Sequence, residues 1–287
     1  MKKYLNILLV FVMVFALTGC GKKEEVKSKT PNEVLADVLK NDNSLKEAKV
    51  DLAAQIKMNY GGMSIDGNFT VGASVVNQDG TIKGLIELGE NPIVGKGTFY
   101  LDNKSVYYSS KLLDTMYGIE TENNDWIIAN IDDETDSSIN EDFSNLDLKN
   151  IDVNKIFTDK DFYLISRNGD IGTYRLVISK DLLVRIDKSY DQNSTETYDD
   201  FTSNVNIDIN IDEKSNRIIK ISVDLMDALK DVDFGENADL KGSIEKMNFD
   251  VTISYDNVVV DIPAEVKENA IAADDYISKV QDLLVGE

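Results

Sequence analysis

Chemistry in this chain has to come from carboxylates. There is no histidine, which excludes serine or cysteine triads with a histidine base, histidine zinc sites and histidine pH switches. With 52 acidic residues against 30 basic ones, paired carboxylates are too frequent for proximity alone to mark an acid/base site. An enzyme of this composition would be a carboxylate-only glycosidase or a metal-dependent hydrolase, and no motif points to either. Asp132-Asp133-Glu134-Thr135-Asp136, Tyr198-Asp199-Asp200 and Asp231-Val232-Asp233 offer oxygen atoms that suit calcium. None has the aspartate spacing or central glycine of a known calcium loop, so solvated acidic loops are the simpler reading. Gly95-Lys96-Gly97-Thr98 resembles a scrap of a phosphate loop without the earlier glycine or a following helix. Trp126 with Tyr107, Tyr108 and Tyr117 is read as aromatic packing on a sheet before it is read as a ligand pocket. Arg167, Arg175, Arg185 and Arg217 have abundant acids to pair with. The expectation is a protein that is not an enzyme, with no cofactor and no bound metal.

The elements that precede these residues set an address. Met1-Lys2-Lys3 is a cationic start, Leu5 to Leu17 is almost entirely apolar, and Leu17-Thr18-Gly19 leads into Cys20, the one cysteine. The apolar run is shorter than the roughly 20 residues of a spanning helix and fits a signal peptide. Leu17-Thr18-Gly19-Cys20 resembles the lipobox of bacterial lipoproteins. That resemblance implies cleavage after residue 19, a diacylglyceryl group on the Cys20 thiol and a mature protein held by lipid on the extracytoplasmic face of the cell membrane. A Cys20 so committed leaves no thiol for catalysis, metal binding or a disulfide. The formal charge is −22; loss of Lys2 and Lys3 with the leader takes it to about −24. Nucleic acid is excluded as a partner on charge, and anionic headgroups would repel such a surface. Membrane attachment therefore rests on the acyl chains at Cys20. Residues 20–30, rich in lysine and glutamate, read as a tether that reaches about 35 Å when extended, and residues 31–287 as one α+β domain.

Within that domain the hydrophobic period changes repeatedly. Thr30-Pro31-Asn32-Glu33 has the residues of a capped helix start, followed by Val34, Leu35, Val38, Leu39 and Leu45 at helical spacing. From Val50 the alternation is that of a half-buried strand, and further strands are expected over Ile65 to Val76, Thr81 to Leu88, Phe99 to Leu101, Ser105 to Tyr108 and Asp125 to Ile131. Turn signals stand at Gly61-Gly62, Asp79-Gly80 and Asp102-Asn103-Lys104. Lys111 to Met116 has helical spacing, Asp132 to Asn145 reads as a loop, and Asp152 to Phe157 as a helix. A hairpin is expected around Asn168-Gly169-Asp170, then a helix capped by Ser179. The clearest hairpin pairs Val205, Ile207, Ile209 and Ile211 with Ile219, Ile221, Val223 and Leu225. Phe249 to Tyr255 and Val258 to Ile262 read as strands, and Pro263 opens an amphipathic helix through Val266, Ala270, Ile277, Val280 and Leu284. About ten antiparallel strands with few helices imply an α+β fold whose sheet curves strongly to cover its apolar face.

A lipobox, a tether, a helix entering a long meander, and a late hairpin before Val260-Asp261-Ile262-Pro263 together resemble the LolA-like superfamily, which includes lipoprotein carriers and the LppX and LprG type of lipid-binding lipoproteins. The resemblance spans about Pro31 to Lys267. It implies a half-barrel, helices across its concave face, and a pocket for acyl chains. No family residue transfers to a numbered position. From strand alternation, the inward set is Leu52, Ile56, Phe69, Val71, Ile86, Phe99, Ile207, Ile209, Ile221, Val223, Val251 and Ile253. The expected role is a lipid-anchored binding or carrier protein for a hydrophobic ligand. The alternative is a cell-surface interaction or envelope-assembly module with a packed interior and no ligand.

Overall fold

The computed structural model describes residues 29–40, 47–60, 63–78, 81–89, 96–111, 126–130, 152–190, 192–195, 197–199, 201–229 and 243–285. The leader, Cys20, the Gly61-Gly62 and Asp79-Gly80 turns, Leu45, most of Lys111 to Met116, the Asp132 to Asn145 loop and Asp231 to Asp233 lie outside the described residues.

Helix α1 (Pro31–Lys40) begins as its residues require. The Glu33 amide donates to Thr30 Oγ1 at 3.3 Å and the Thr30 amide donates to Glu33 Oε2 at 2.7 Å, a reciprocal capping box with proline at the first helical position. Its buried face is Val34, Leu35, Val38 and Leu39. The chain continues through β1 (Glu47–Tyr60), β2 (Met63–Gln78), β3 (Thr81–Leu88), β4 (Gly97–Asp102), β5 (Ser105–Ser109) and β6 (Trp126–Asn130). Next come α2 (Val153–Ile156), β7 (Phe162–Asn168), β8 (Ile171–Ile178), α3 (Lys180–Tyr190), β9 (Val205–Asp212), β10 (Arg217–Asp224) and α4 (Met226–Leu229). The last elements are β11 (Ile244–Ser254), α5 (Ala264–Glu268), β12 (Ala270–Ala272) and α6 (Ala273–Val285). The strands form a 12-stranded sheet in the order β12-β6-β5-β4-β3-β2-β1-β11-β10-β9-β8-β7. The fold is α+β on a mostly antiparallel open sheet. Tight turns use residues that tolerate a left-handed backbone: Asn103 at φ 56°, Gly169 at 60°, Asn216 at 52° and Asn257 at 61°.

The described residues divide into two compact units, and both long strands contribute to both. In the first unit, β8 to β11 stack apolar residues in register. Tyr174 opposes Ile209, Ile209 opposes Ile221, and Ile221 opposes Val251. Leu176, Ile207 and Val223 form the next row. α1 packs on β7 and α2, and α2 packs on α3, which brings Val153, Ile156, Phe157, Leu182 and Leu183 into the buried set. The ring of Phe162 stacks on Tyr174 with centroids 5.1 Å apart. In the second unit, Tyr107, Ile262 and Val266 pack together with Tyr100, Trp126, Ile128 and Ala270 around them.

The carboxyl-terminal expectations need correction. The helix read from Pro263 onward is interrupted, because Ala270 to Ala272 pair in parallel with Trp126 to Ile128 and satisfy backbone groups along the edge of β6. Helical spacing on either side of a strand this short mimics one continuous stripe. Val258 to Ile262 joins no strand among the described residues. It buries Val260 and Ile262 and leaves Val259 79% exposed, so its alternation comes from packing on side chains such as Tyr107 and not from a ladder.

Candidate ligand-binding face

The candidate pocket residues divide by burial. Ile207, Ile209, Ile221, Val223, Val251 and Ile253 are all buried in the first unit, on the face of β9 to β11 that the register brings together. They touch one another across adjacent strands as core residues do. Leu52 and Ile56 on β1 are half-buried.

Phe69, Val71, Ile86 and Phe99 lie in the second unit, and there the picture changes. Opposed residues in a ladder share a face, so Ala73, Ile86, Phe99, Tyr108 and Ile127 form one row across β2 to β6. Val75, Gly84, Leu101, Val106 and Ala129 form the neighbouring row. Val71 opposite Leu88 continues the surface on one side, and Ile82 lies two residues from Gly84 on the other. This is a contiguous apolar face. Ile127 at its end is fully buried, whereas Ile86 is 44% exposed and Val75 and Ile82 are 40% exposed. Gly84 gives the face a low point: a Cβ there would stand 3.1 Å from Leu101 Cβ, so Leu101 lies down over the glycine. Phe99 and Tyr108 add two tilted rings with centroids 6.2 Å apart. Val75, Ile82, Leu101 and Tyr108 were missing from the residues chosen on sequence, although the alternation that selected Ile86 selects them equally once the register is known.

The opposite face carries the row Leu85, Tyr100, Tyr107 and Ile128. Trp126 packs on Tyr100 at 5.5 Å, and Ile262 and Val266 cover this row. Lys267 donates to Asp102 beside it. Trp126 and Tyr107 thus serve as packing on a sheet.

Polar side chains are assembled elsewhere, in the first unit. Arg175 grips Asp208 through Nε at 2.8 Å and Nη2 at 2.9 Å, and that carboxylate holds the guanidinium firmly charged. Ser222 donates to Asp250 at 2.5 Å and Lys220 pairs with Asp250 at 3.1 Å, holding the Asp250 carboxyl below its ordinary pKa. Arg175, Asp208, Ser222 and Asp250 line an open hollow of about 250 Å³ together with Asn206, Val223, Asp224, Asn248 and Phe249. A second cluster centres on the buried Glu213 and Tyr174: Tyr174 Oη donates to Glu213 Oε1 at 2.5 Å, and the more exposed Arg167 donates through Nε to the same oxygen at 2.9 Å. Gly172 makes room for it, since a Cβ would meet Glu213 Oε1 at 2.4 Å and Tyr174 Cε2 at 2.5 Å. Burial, reinforced by the Glu213 carboxylate, pushes the Tyr174 phenol up to about 12. Arg185 donates to the buried Asp161 and, at 2.7 Å, to the Ile156 carbonyl, tying α3 to the end of α2. Asp199, in one of the acidic runs, accepts from Lys180 and Thr197. Among the described residues no three acidic side chains converge as a metal site requires.

No protein-family model matches this chain, and no curated protein matches it. Solved structures similar to it include a LolA superfamily protein from Nitrosomonas europaea, at 9% identity over 83% of this chain and 97% of that one, with a TM-score of 0.24. A DUF1329 family protein from Desulfovibrio piger is 14% identical over 81% and 96% of the two chains, with a TM-score of 0.24. An outer membrane lipoprotein-sorting protein domain from Vibrio parahaemolyticus is 11% identical over 83% and 97%, with a TM-score of 0.25.

Proposed function

We propose that the chain is a non-enzymatic, lipid-anchored extracytoplasmic lipoprotein that binds or carries a hydrophobic ligand of the acyl class on the apolar face of β2 to β5. The observation that carries this reading is the contiguous set Val75, Ile82, Ile86, Phe99, Leu101 and Tyr108, of which Ile86 is 44% exposed beside the buried Gly84. Contiguous apolar surface of this kind on a soluble protein marks a place where something else is covered. An acyl chain suits it because the face offers aliphatic and aromatic contact without charge, each buried methylene contributing about 0.8 kcal/mol. The leader and Cys20 supply the membrane address that such a ligand needs. The alternative, a surface interaction or assembly module, draws support from the first unit, where Ile207, Ile209, Ile221, Val223, Val251 and Ile253 are a filled core. Mass spectrometry of organic extracts from the purified, non-acylated protein separates the two. Co-purifying lipid or fatty acid that Ile86→Lys abolishes supports the carrier; a clean extract from well-folded wild type favours the module.

A further inference from the structure

Residues 254–285 are held to the second unit in an unusual way. Their strand, β12, is 3 residues long and pairs with β6 in parallel, whereas β8 and β9 are matched antiparallel from Ile171 to Ile178 along their whole length. Parallel pairing is slightly weaker per residue than antiparallel. Among the described side chains the apolar anchors are Ile262 and Val266 on Tyr107, with Tyr255, Val260 and Tyr276 also buried, and α6 packs on β6 and β12. Two apolar side chains of the segment face water, Val259 at 79% and Ile277 at 51% exposure. The charges oppose attachment. Burial raises the pKa of the Tyr100 hydroxyl, and the charges of Glu87 on the sheet and of Glu265 and Asp261 on the segment push it the same way. Against them stands Lys267, paired with Asp102 and also feeling Asp261. Like charges on the two sides of a contact repel. At the entry to the segment, Asn257 holds a left-handed backbone at φ 61° and its amide donates to Glu47 at 3.1 Å, a ready pivot.

We propose that residues 254–285 act as a latch that leaves the sheet as a unit while the rest of the chain stays folded, baring the Tyr100, Tyr107 and Trp126 row and the outer edge of β6. Local opening of this kind belongs to elements with few buried anchors and short ladders. It leaves the apolar face of β2 to β5 untouched, so it stands or falls separately from the ligand proposal.

Trp126, the one tryptophan, lies under the latch and reports its position. In a urea titration of the full chain, Trp126 emission should shift and become open to acrylamide before far-UV circular dichroism changes. Hydrogen exchange read by mass spectrometry should show peptides from residues 258–285 exchanging about tenfold faster or more than peptides from residues 205–224 in native buffer. Lys267→Glu, which removes the Asp102 pair and adds a like charge at an exposed site, should enlarge the early step several-fold and leave the main transition in place. The proposal is overturned if tryptophan emission and circular dichroism change together at one urea concentration, if the two peptide sets exchange alike, or if Lys267→Glu lowers the main transition without creating or enlarging an early one.

Discussion

Gly172, Tyr174 and Glu213 illustrate how much of the molecule depends on single atoms that no pattern announces. Strand alternation places Tyr174 inward, but nothing local to residue 172 says that its missing Cβ makes room for a carboxylate from the β9–β10 turn. Replacing Tyr174 with Phe should cost about 1 to 3 kcal/mol in urea unfolding, because Glu213 then keeps Arg167 but loses its shortest donor in a buried place. The pH dependence has a definite sign. The phenol is held neutral in the folded state up to about 12, above its unfolded value near 10. Its contribution is therefore complete below about pH 10 and is lost as pH rises toward about 12. Stability measured from pH 9 to 12 should fall more steeply for the wild type than for Tyr174→Phe; parallel curves would remove Tyr174 from the account.

At the scale of elements, packing decides which strands tolerate added volume. Val223 sits in the filled core with 8% exposure, so Val223→Trp should destabilise the protein by about 1 to 3 kcal/mol. Val71 is half-buried opposite Leu88, and Val71→Trp should leave the urea midpoint nearly unchanged while altering binding on that face. Thr30→Ala removes the hydroxyl half of the α1 capping box and should cost about 1 kcal/mol by the same measurement. These elements were legible in the sequence because their chemistry is local. Thr30 and Glu33 cap each other three residues apart, and Val205 to Ile211 alternate with Asn206, Asp208 and Asn210 in strict period. The Asn168-Gly169-Asp170 turn likewise bends where glycine permits a left-handed backbone. The break between α5 and α6 was not legible. Ala270 to Ala272 become a strand only because the edge of β6 lies beside them, a contact far away in sequence. The candidate site was half legible for a related reason. Alternation chose inward residues strand by strand, yet burial depends on what lies over each face, and that separated Ile209, 1% exposed, from Ile86 at 44%.

At the scale of the whole molecule, the proposed carrier needs a membrane anchor at Cys20 as well as an apolar face. Cys20→Ser should move the protein to the soluble or secreted fraction or leave an uncut precursor; a processed mutant as membrane-bound as its parent would remove the anchor. Removal of residues 20–28, which spares the Thr30 cap of α1, should leave the melting temperature within a few degrees, since this stretch has no apolar stripe to pack. The central claim is hydrophobic ligand binding on β2 to β5, and a titration of the non-acylated protein with a fluorescent fatty-acid probe tests it most directly. Saturable binding by the wild type, lost in Ile86→Lys but kept in the exposed control Lys160→Ala, with circular dichroism unchanged in both, is the predicted result. No saturable binding by the folded wild type, or binding that Ile86→Lys leaves intact, would contradict it.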